Sequence, residues 1–224
     1  MIKNKRIDAL VDETKGINTL LDIGCDHGLV IKKAFENKNI KKAIASDVNE
    51  MPLESAKKNL KGFDVEFIVS NGFENIKDKF DGVVIAGMGA MLISNILEKA
   101  PEGDITYILQ ANSKLEVLRE YLSNNNFKII DEIVVFEKFY YIIIRAVRGN
   151  EKLNEKELYL GPILMKKTSS ISYYQNLLDR YYRLINLEGT NSDVILQRVK
   201  WLESIINKNN KGELKWKNTK TYKH

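Results

Sequence analysis

The 224-residue sequence is poor in proline and cysteine, with three prolines and the single cysteine Cys25. One cysteine cannot form an intramolecular disulfide, which argues against a small secreted scaffold held by disulfides. No apolar run approaches the roughly 18 residues needed to cross a bilayer. The basic start at residues 1–6 is not followed by an apolar segment with a small-residue cleavage site. These absences predict a cytoplasmic location and no membrane partner.

Metal ligands are also scarce, because the chain has one cysteine and two histidines, His27 and His224. Too few soft or imidazole ligands are present for a typical transition-metal site. Cys25 and His27 stand two residues apart on one predicted turn, a spacing that seldom gives a Cys–His pair the geometry for nucleophilic attack. We therefore expect neither a metal ion nor a cysteine nucleophile.

Excess charge of either sign is lacking over residues 1–150, which hold 21 basic and 22 acidic residues. Residues 151–224 hold 14 basic and 8 acidic residues, so the net charge of +5 comes from this C-terminal third. A basic segment on a neutral domain is typical of proteins that bind polyanions. A solvated, lysine-rich helical surface gives the same count, and charge alone leaves both interpretations open.

Short apolar runs alternate with helical segments over the first 150 residues. The predicted strands are Thr19–Gly24, Ala43–Asp47, Val65–Ser70, Gly82–Ala86, Thr106–Ala111, Lys128–Phe136 and Phe139–Val147, and the helices between them are Leu29–Asn37, Leu53–Leu60, Met91–Ala100 and Lys114–Asn124. The first five strands do not alternate strictly, as expected of strands buried on both faces of a parallel sheet. The last two follow each other closely and predict an antiparallel hairpin around Glu137 and Lys138. The fold class is therefore α/β with a seven-stranded sheet.

The C-terminal third has a different pattern. Apolar residues recur every three or four positions in two stretches, separated by turn-forming residues at 188–193. The two apolar faces are Ile171, Tyr174, Leu178, Tyr181 and Ile185, then Ile195, Val199, Leu202 and Ile206. This spacing predicts an antiparallel α-helical hairpin that resembles a coiled coil. We accordingly divide the chain into domains at 1–150 and 151–224.

The residues 22–28, DIGCDHG, follow the first predicted strand. Glycines at such a turn let a ligand approach the backbone, and the start of the next helix offers amide donors. A carboxylate at Asp26 would repel a pyrophosphate and attract a cationic sulfonium or amino group. The motif thus favours S-adenosylmethionine over a nicotinamide dinucleotide, although D-x-G after a strand can also be a simple turn.

Two further predicted strands end in polar residues. Asp47 lies 19 residues after Gly28, at a strand end where a carboxylate can accept both hydroxyls of an adenosine ribose. Asn71 and Gly72 follow the third strand, where a polar side chain can reach an adenine edge. The alternatives are a helix cap for Asp47 and an ordinary turn for the other two.

The loops after the fourth and fifth strands complete the predicted site. Gly87 and Gly89 bracket Met88 in a loop expected to face the reaction centre, because ligands of such sheets lie beyond the carboxyl ends of the strands. Gln110 and Asn112 can supply amide donors and acceptors to a substrate, or cap the helix that follows.

These motifs resemble those of a known family. Residues 22–28 are similar to the D-I-G-S-D-H-A/G block of the bacterial tRNA adenine-N1 methyltransferases that modify position 22, with Cys25 in place of serine. Residues 86–90, AGMGA, are similar to that family's A-G-M-G-G, with Ala90 in place of the last glycine. The combination of the two blocks is specific, whereas each alone is not.

The likeness extends beyond these blocks. Residues 110–112, QAN, resemble the family's Q-P-N with Ala111 in place of proline, and residues 5–7 and 157–162 resemble further blocks, so the match runs to about Leu164. It implies a Rossmann-like class I methyltransferase sheet, a C-terminal coiled-coil-like hairpin, S-adenosylmethionine as cofactor and tRNA as partner. We expect the basic hairpin to bind the tRNA. We also expect the protein to be a monomer or weak dimer.

The resemblance and the motifs together assign the site. The predicted cofactor-binding residues are Asp22, Gly24, Asp26, Gly28, Asp47, Val48, Asn71, Gly72, Gly87 and Gly89, and the predicted substrate-binding residues are Arg6, Gln110 and Asn112. Adenine N1 attacks through an in-plane lone pair without first losing a proton, so the enzyme mainly positions the reactants and excludes water. Asp26 is the candidate to stabilise the cationic product, with His27 and Met88 also at the catalytic centre. Alternatively, Asp26 holds only the cofactor or its loop.

Two other functions are compatible with the same patterns. A methyltransferase acting on a protein or small molecule could use the hairpin for dimerisation. A non-catalytic RNA-binding protein could retain a relict cofactor fold, although the intact glycine turn and Asp47 argue against it.

Overall fold

The computed structural model describes residues 4–188 and 192–220, which fall into two compact units, one ending at Ile163 and the other beginning at Leu164. The strands are β1 Thr19–Ile23, β2 Lys42–Asp47, β3 Val65–Val69, β4 Gly82–Met88, β5 Thr106–Ala111, β6 Phe127–Phe136 and β7 Tyr140–Arg148. The helices are α1 Lys5–Glu13, α2 Leu29–Glu36, α3 Glu50–Asn59, α4 Ala90–Leu97, α5 Leu115–Asn124, α6 Glu155–Leu160, α7 Ile171–Glu188 and α8 Asp193–Lys220. None of these helices is both long and apolar enough to cross a membrane.

All seven strands of the first unit form one sheet in the order β3-β2-β1-β4-β5-β7-β6. The five strands from β3 to β5 are parallel, and β7 inserts antiparallel between β5 and β6. This confirms the predicted sheet and its terminal hairpin. The chain winds outward in opposite directions from β1 and β4, so a crevice opens beyond the carboxyl ends of these two strands.

The boundary between the units lies later than the predicted boundary after residue 150, because the segment around α6 belongs to the first unit. Arg119 of α5 is fully buried and its Nε lies 2.8 Å from Glu132 Oε1 on β6. The guanidinium also donates to the carbonyl oxygen of Leu158, at 2.9 Å, and Glu132 Oε2 accepts from the Ile163 amide, at 3.0 Å. A buried ion pair needs such additional hydrogen bonds, so the 155–163 segment completes the core of the first unit.

The second unit contains the antiparallel helices α7 and α8, as predicted. Side chains link the two helices, since Tyr182 donates to Glu203 at 2.6 Å and Arg198 to the hydroxyl of Tyr181 at 3.3 Å. Four residues of the predicted apolar faces are buried, namely Tyr174, Val199, Leu202 and Ile206, and Leu164 and Ile205, which were not predicted, are buried as well. The predicted turn falls mainly on residues 189–191, which lie outside the described residues.

Candidate active site

A cavity of about 380 Å³ opens at the carboxyl ends of β1 and β4. It is bordered by the start of α1, the loop after β1, the end of β2 and the end of β4, which extends through Gly87 and Met88, two residues predicted to lie in a loop. Eight residues predicted for the site line it, namely Arg6, Asp22, Gly24, Asp26, His27, Asp47, Gly87 and Met88. The topology therefore brings together residues from four separate segments of the sequence.

The loop after β1 depends on glycine at Gly24. Its φ of +73° lies in the left-handed region, which a residue with a Cβ rarely adopts. A Cβ at this position would also lie 2.3 Å from Cε of Met88. The amides of Gly24 and Cys25 donate to the Ser46 carbonyl oxygen at 2.8 and 3.0 Å, which fixes the loop to the end of β2.

Asp26 also has a left-handed backbone, with φ of +48°. Its side chain is 72% exposed at the cavity, and Oδ1 lies 3.6 Å from Nε2 of His27. The imidazole is held on its other side by Ser55 Oγ, 2.7 Å from Nδ1, and Asn59 donates to the His27 carbonyl oxygen at 3.0 Å. Helix α3 therefore orients His27, while the Asp26 carboxylate stays accessible to a ligand.

The carboxylates give the cavity a negative character. Asp22 is only 4% exposed, and its burial, followed by repulsion from Asp47, raises its pKa to about 7. Asp47 Oδ1 accepts a hydrogen bond from the Asn49 amide at 3.1 Å, which orients that carboxylate at the end of β2. A cation bound in the cavity would offset the repulsion among these groups.

Cys25 is buried beside these carboxylates. Burial, followed by repulsion from Asp22 and Asp47, raises the pKa of its thiol far above the ordinary value. Because the thiolate is the nucleophilic form, this environment disfavours a reactive cysteine. The residues that the structure describes likewise contain no cluster of three His, Cys, Asp or Glu side chains suited to a metal ion.

A chain of hydrogen bonds supports the end of β4. Arg6 Nη1 donates to Gln110 Oε1 at 3.0 Å, Gln110 Nε2 donates to Asn112 Oδ1 at 3.0 Å, and Asn112 Nδ2 donates to the Gly87 carbonyl oxygen at 2.7 Å. Gln110 is fully buried, and both ends of its amide are used within this chain. The arrangement suits positioning of the Gly87–Met88 backbone, whereas the predicted contact of Gln110 with substrate stays a prediction.

Other predicted site residues do not line this cavity. Asn71 lines a second cavity of about 390 Å³ and donates to Glu74 at 3.2 Å. Gly72 packs against Ile96 of α4, where an added Cβ would lie 3.1 Å from Cγ2. Val48 is exposed beyond the end of β2. Their predicted contacts with a cofactor are therefore not explained by the geometry of the first cavity.

Two predicted site glycines are the N-cap residues of helices. Gly28, with φ of +68°, is the N-cap of α2, and Gly89 is the N-cap of α4. A Cβ at Gly28 would lie 2.7 Å from Cδ1 of Leu60. Gly28 therefore lets α2 begin close to α3, a structural role beside its predicted contact with cofactor.

The apolar part of the cavity was not anticipated from the sequence. Ile7 and Leu10 of α1 and Leu29 of α2 line it. The helical spacing of Ile7 and Leu10 indicates a buried face of α1, but spacing alone does not identify the surface against which that face packs. The resemblance of residues 5–7 to a family block was the one signal that pointed to this helix.

A family model for tRNA (adenine(22)-N(1))-methyltransferase, TrmK, matches residues 20–211. The tRNA (adenine(22)-N(1))-methyltransferase of Bacillus subtilis is 27% identical to this chain over 183 residues, which cover 75% of this chain and 77% of that protein. The match therefore includes both compact units and most of the length of the relative.

Solved structures agree with the sequence comparison. Sp1610 of Streptococcus pneumoniae, in complex with S-adenosyl-L-methionine, has a TM-score of 0.80 and 28% identity, covering 92% of this chain and 100% of that one. M. capricolum TrmK, in complex with S-adenosyl-homocysteine, has a TM-score of 0.77 and 26% identity, covering 92% of this chain and 99% of that one. The fold is therefore shared over nearly the whole chain.

Proposed function

This chain belongs to the tRNA (adenine(22)-N(1))-methyltransferase family, and we propose on that basis that adenine 22 of tRNA is the base that it methylates. It is a tRNA (adenine-N1)-methyltransferase that uses S-adenosylmethionine. The observation that carries this conclusion is the family match over residues 20–211. The two alternatives considered from sequence, another substrate class and a non-catalytic RNA-binding protein, are set aside.

The cavity beyond β1 and β4 suits this cofactor. S-adenosylmethionine supplies an electrophilic methyl group on a cationic sulfonium, and its amino group carries a second positive charge. The carboxylates of Asp26 and Asp47 line the cavity beside Asp22, and a cationic ligand complements their charge and favours the ionised form of Asp22. We assign Asp47, whose carboxylate is oriented by the Asn49 amide, to bind the ribose hydroxyls. The turn at Gly24 is assigned to let the cofactor lie close to the backbone.

The same cavity suggests roles for the residues that face the base. Because adenine N1 already presents a lone pair, no residue has to accept a proton before the methyl group is transferred. Asp26 is exposed at the cavity and is assigned to stabilise the positive charge that develops on the base. Arg6, Gln110 and Asn112 hold the end of β4 at Gly87 and Met88 in place.

The second unit is assigned to tRNA binding. Residues 164–224 hold 12 basic and 5 acidic residues, whereas residues 1–163 hold 23 basic and 25 acidic residues. Phosphates attract such an excess of basic side chains, and binding releases counterions. A tRNA substrate also supports a cytoplasmic location. The expected state, a monomer or weak dimer, stays a prediction that sedimentation of the purified protein would test.

The choice of base is tested with transcribed tRNA that carries either adenine or guanine at position 22. We expect methylation of the first transcript alone, with the methyl group mapped to N1 by a reverse-transcription stop at that position and by mass spectrometry of the digested RNA. Methylation of another adenine in the guanine-22 transcript would show that adenine 22 is not the target base. A methyl group on the exocyclic nitrogen would show that N1 is not the nucleophile.

The role of the second unit is tested with a chain that ends at Ile163, because residues 151–163 belong to the first unit. We expect this chain to bind S-adenosylmethionine with unchanged affinity, which also reports on its folding, and to lose at least about a hundredfold in tRNA affinity. Unchanged tRNA affinity would instead assign the helical hairpin to structure or dimerisation.

A further inference from the structure

The β6–β7 hairpin extends past the carboxyl end of the neighbouring strand. Leu109 of β5 lies opposite Ile144 of β7. Strand β5 ends two residues after Leu109, at Ala111, whereas β7 begins four residues before Ile144, at Tyr140. The turn at residues 136–140, the aromatic tip, therefore projects from the sheet at the edge that carries the active-site cavity.

The aromatic tip exposes large rings to solvent. Phe136 is 53% exposed and Phe139 is 62% exposed. The rings of Phe136 and Tyr140 pack at a centroid distance of 4.8 Å, and Nζ of Lys138 lies 5.9 Å from the centroid of the Phe139 ring. Burying a ring in the core would be favourable, so two exposed phenylalanines beside a lysine at a hairpin turn indicate a binding surface.

The aromatic tip is continuous with the active site through α1. The Lys5 amide donates to Glu137 Oε1 at 2.9 Å, which ties the start of α1 to the turn. The next residue, Arg6, lies with its guanidinium carbon 5.5 Å from the centroid of the Tyr141 ring and also lines the cavity. A substrate that enters the cavity past Arg6 is therefore close to the aromatic tip.

We propose that the aromatic tip stacks against a base of the tRNA next to the adenine that is methylated, with Phe139 as the main stacking ring. The proposal rests on the function proposed above. Exposed rings beside a basic side chain can bind unpaired nucleotides, because every base offers a π-face and Lys138 attracts phosphate. The acidic residue of the turn, Glu137, accepts a hydrogen bond from the Lys5 amide. Stacking there would hold the neighbouring nucleotide while the target base enters the cavity.

The test compares variants of the full chain at position 139. Phe139→Ala is expected to weaken tRNA affinity between about fivefold and a hundredfold, as stacking on a single base predicts. Phe139→Leu keeps an apolar side chain but not the ring and is expected to lose nearly as much, whereas Phe139→Trp keeps affinity within about twofold. S-adenosylmethionine affinity is expected to stay unchanged in all three.

Ile130→Ala is the matched control, because Ile130 is an exposed apolar residue elsewhere on β6. We expect it to leave tRNA affinity unchanged. Wild-type affinity of either Phe139→Ala or Phe139→Leu would overturn the proposal. So would a change from dimer to monomer in Phe139→Ala without a change in tRNA affinity, because the tip would then contact a second copy of the chain.

The partner base is identified with tRNAs that each lack one base near position 22. Removal of the stacked base is expected to weaken binding to the wild type but not to weaken Phe139→Ala further, whereas additive losses at every position would overturn the proposal. The controls separate this proposal from the proposed function. If the wild type does not methylate adenine 22, the proposed function is wrong. If the wild type methylates adenine 22 and Phe139→Ala does so equally well, only the stacking proposal is wrong.

Discussion

The two compact units of the chain are specified in different ways. Every left-handed φ recorded among the described residues lies before residue 164, at glycines and at a few other residues such as Asp26. The described part of the second unit consists mainly of the helices α7 and α8, and this unit carries an excess of basic residues. The structure and function of the first unit therefore depend on individual residues at fixed positions. Those of the second unit depend on its total charge and on a repeating apolar pattern. Single substitutions should therefore have large effects in the first unit and small effects in the second.

The largest effect is expected from Glu132→Gln, which leaves the buried Arg119 guanidinium without a compensating charge. Breaking a buried ion pair on one side costs about 3–5 kcal/mol in free energy of unfolding. The control is Lys57→Gln, which removes an exposed pair with Glu54 at 2.6 Å and should leave the free energy of unfolding nearly unchanged. Urea denaturation of both variants measures the difference, and equal losses would show that the buried pair has no special role.

Substitutions of Asp26 are expected to lower the rate of methyl transfer. Asp26→Asn should keep the left-handed backbone, which asparagine tolerates, while Asp26→Ala also loses the polar contact and strains the turn. Removing one preorganised electrostatic partner lowers the rate by roughly 10²–10³. Single-turnover rates with tRNA in excess are the measurement, beside cofactor affinities. Wild-type rates in both variants would exclude Asp26 from catalysis, and near-complete loss in both would point to a general base.

Asp47→Ala is expected to weaken S-adenosylmethionine binding while the protein stays folded. The loss of hydrogen bonds to ribose should cost about 1.5–3 kcal/mol of binding free energy. Asp64→Ala is the control, because Asp64 immediately precedes β3 at its amino end and is paired with Lys42 at 3.8 Å. Calorimetry on both variants compares the affinities, and an unchanged value for a folded Asp47→Ala protein would remove Asp47 from the site.

The burial of Asp22 predicts a pH dependence of stability. Its pKa is about 7 in the folded protein, against an ordinary value of 3.8, so between these values the folded state holds the proton more tightly than the unfolded state. Its contribution to the free energy of unfolding is complete below about pH 4 and is lost as the pH rises through 7, by at most about 1.4 kcal/mol per pH unit. Urea denaturation from pH 5 to 8 should show this decline in the wild type and a flatter profile in Asp22→Asn. Identical profiles would contradict the assignment.

The smallest effect is expected in the second unit. Lys200 is exposed on α8, and Lys200→Gln should weaken tRNA binding by a few-fold at most and reduce the slope of affinity against salt by about one unit. Lys41→Gln, which removes an exposed lysine of the first unit, is the control and should leave both quantities unchanged. Filter binding at several salt concentrations measures them. A hundredfold loss of tRNA affinity in Lys200→Gln would contradict the expectation of small effects in the second unit, because one residue would then act as a specific contact.

The sequence predicted those parts of the site that follow from strand periodicity. Asp22, Asp47 and Met88 lie at or near the ends of parallel strands, and the topology of the sheet brings such ends together. Asn71 also follows a parallel strand, but the turn after β3 places it in the second cavity. A strand end thus predicts the edge of the sheet on which a side chain lies, but not the cavity that it enters.

Other features have no local signal. Helix α6 spans six residues, too few for a periodic apolar pattern to identify it, and the predicted domain boundary was therefore too early. One hydrogen-bond partner of Gln110 is Arg6 of α1, 104 residues away in the sequence, and only the packing of α1 against the sheet brings them together. Periodicity and turn chemistry describe local structure, whereas such contacts depend on the packing of whole elements.

The contact between Gly24 and Met88 has a consequence for how this enzyme can diverge. An alanine at position 24 would occupy the space of the Met88 methyl group and displace it, since a methionine side chain is flexible. That displacement changes the shape of the cavity that Met88 lines. The left-handed φ of Gly24 also disfavours a side chain there, so a smaller residue at position 88 would not by itself make alanine acceptable at position 24, and descendants of this enzyme should keep the glycine whatever residue stands at position 88.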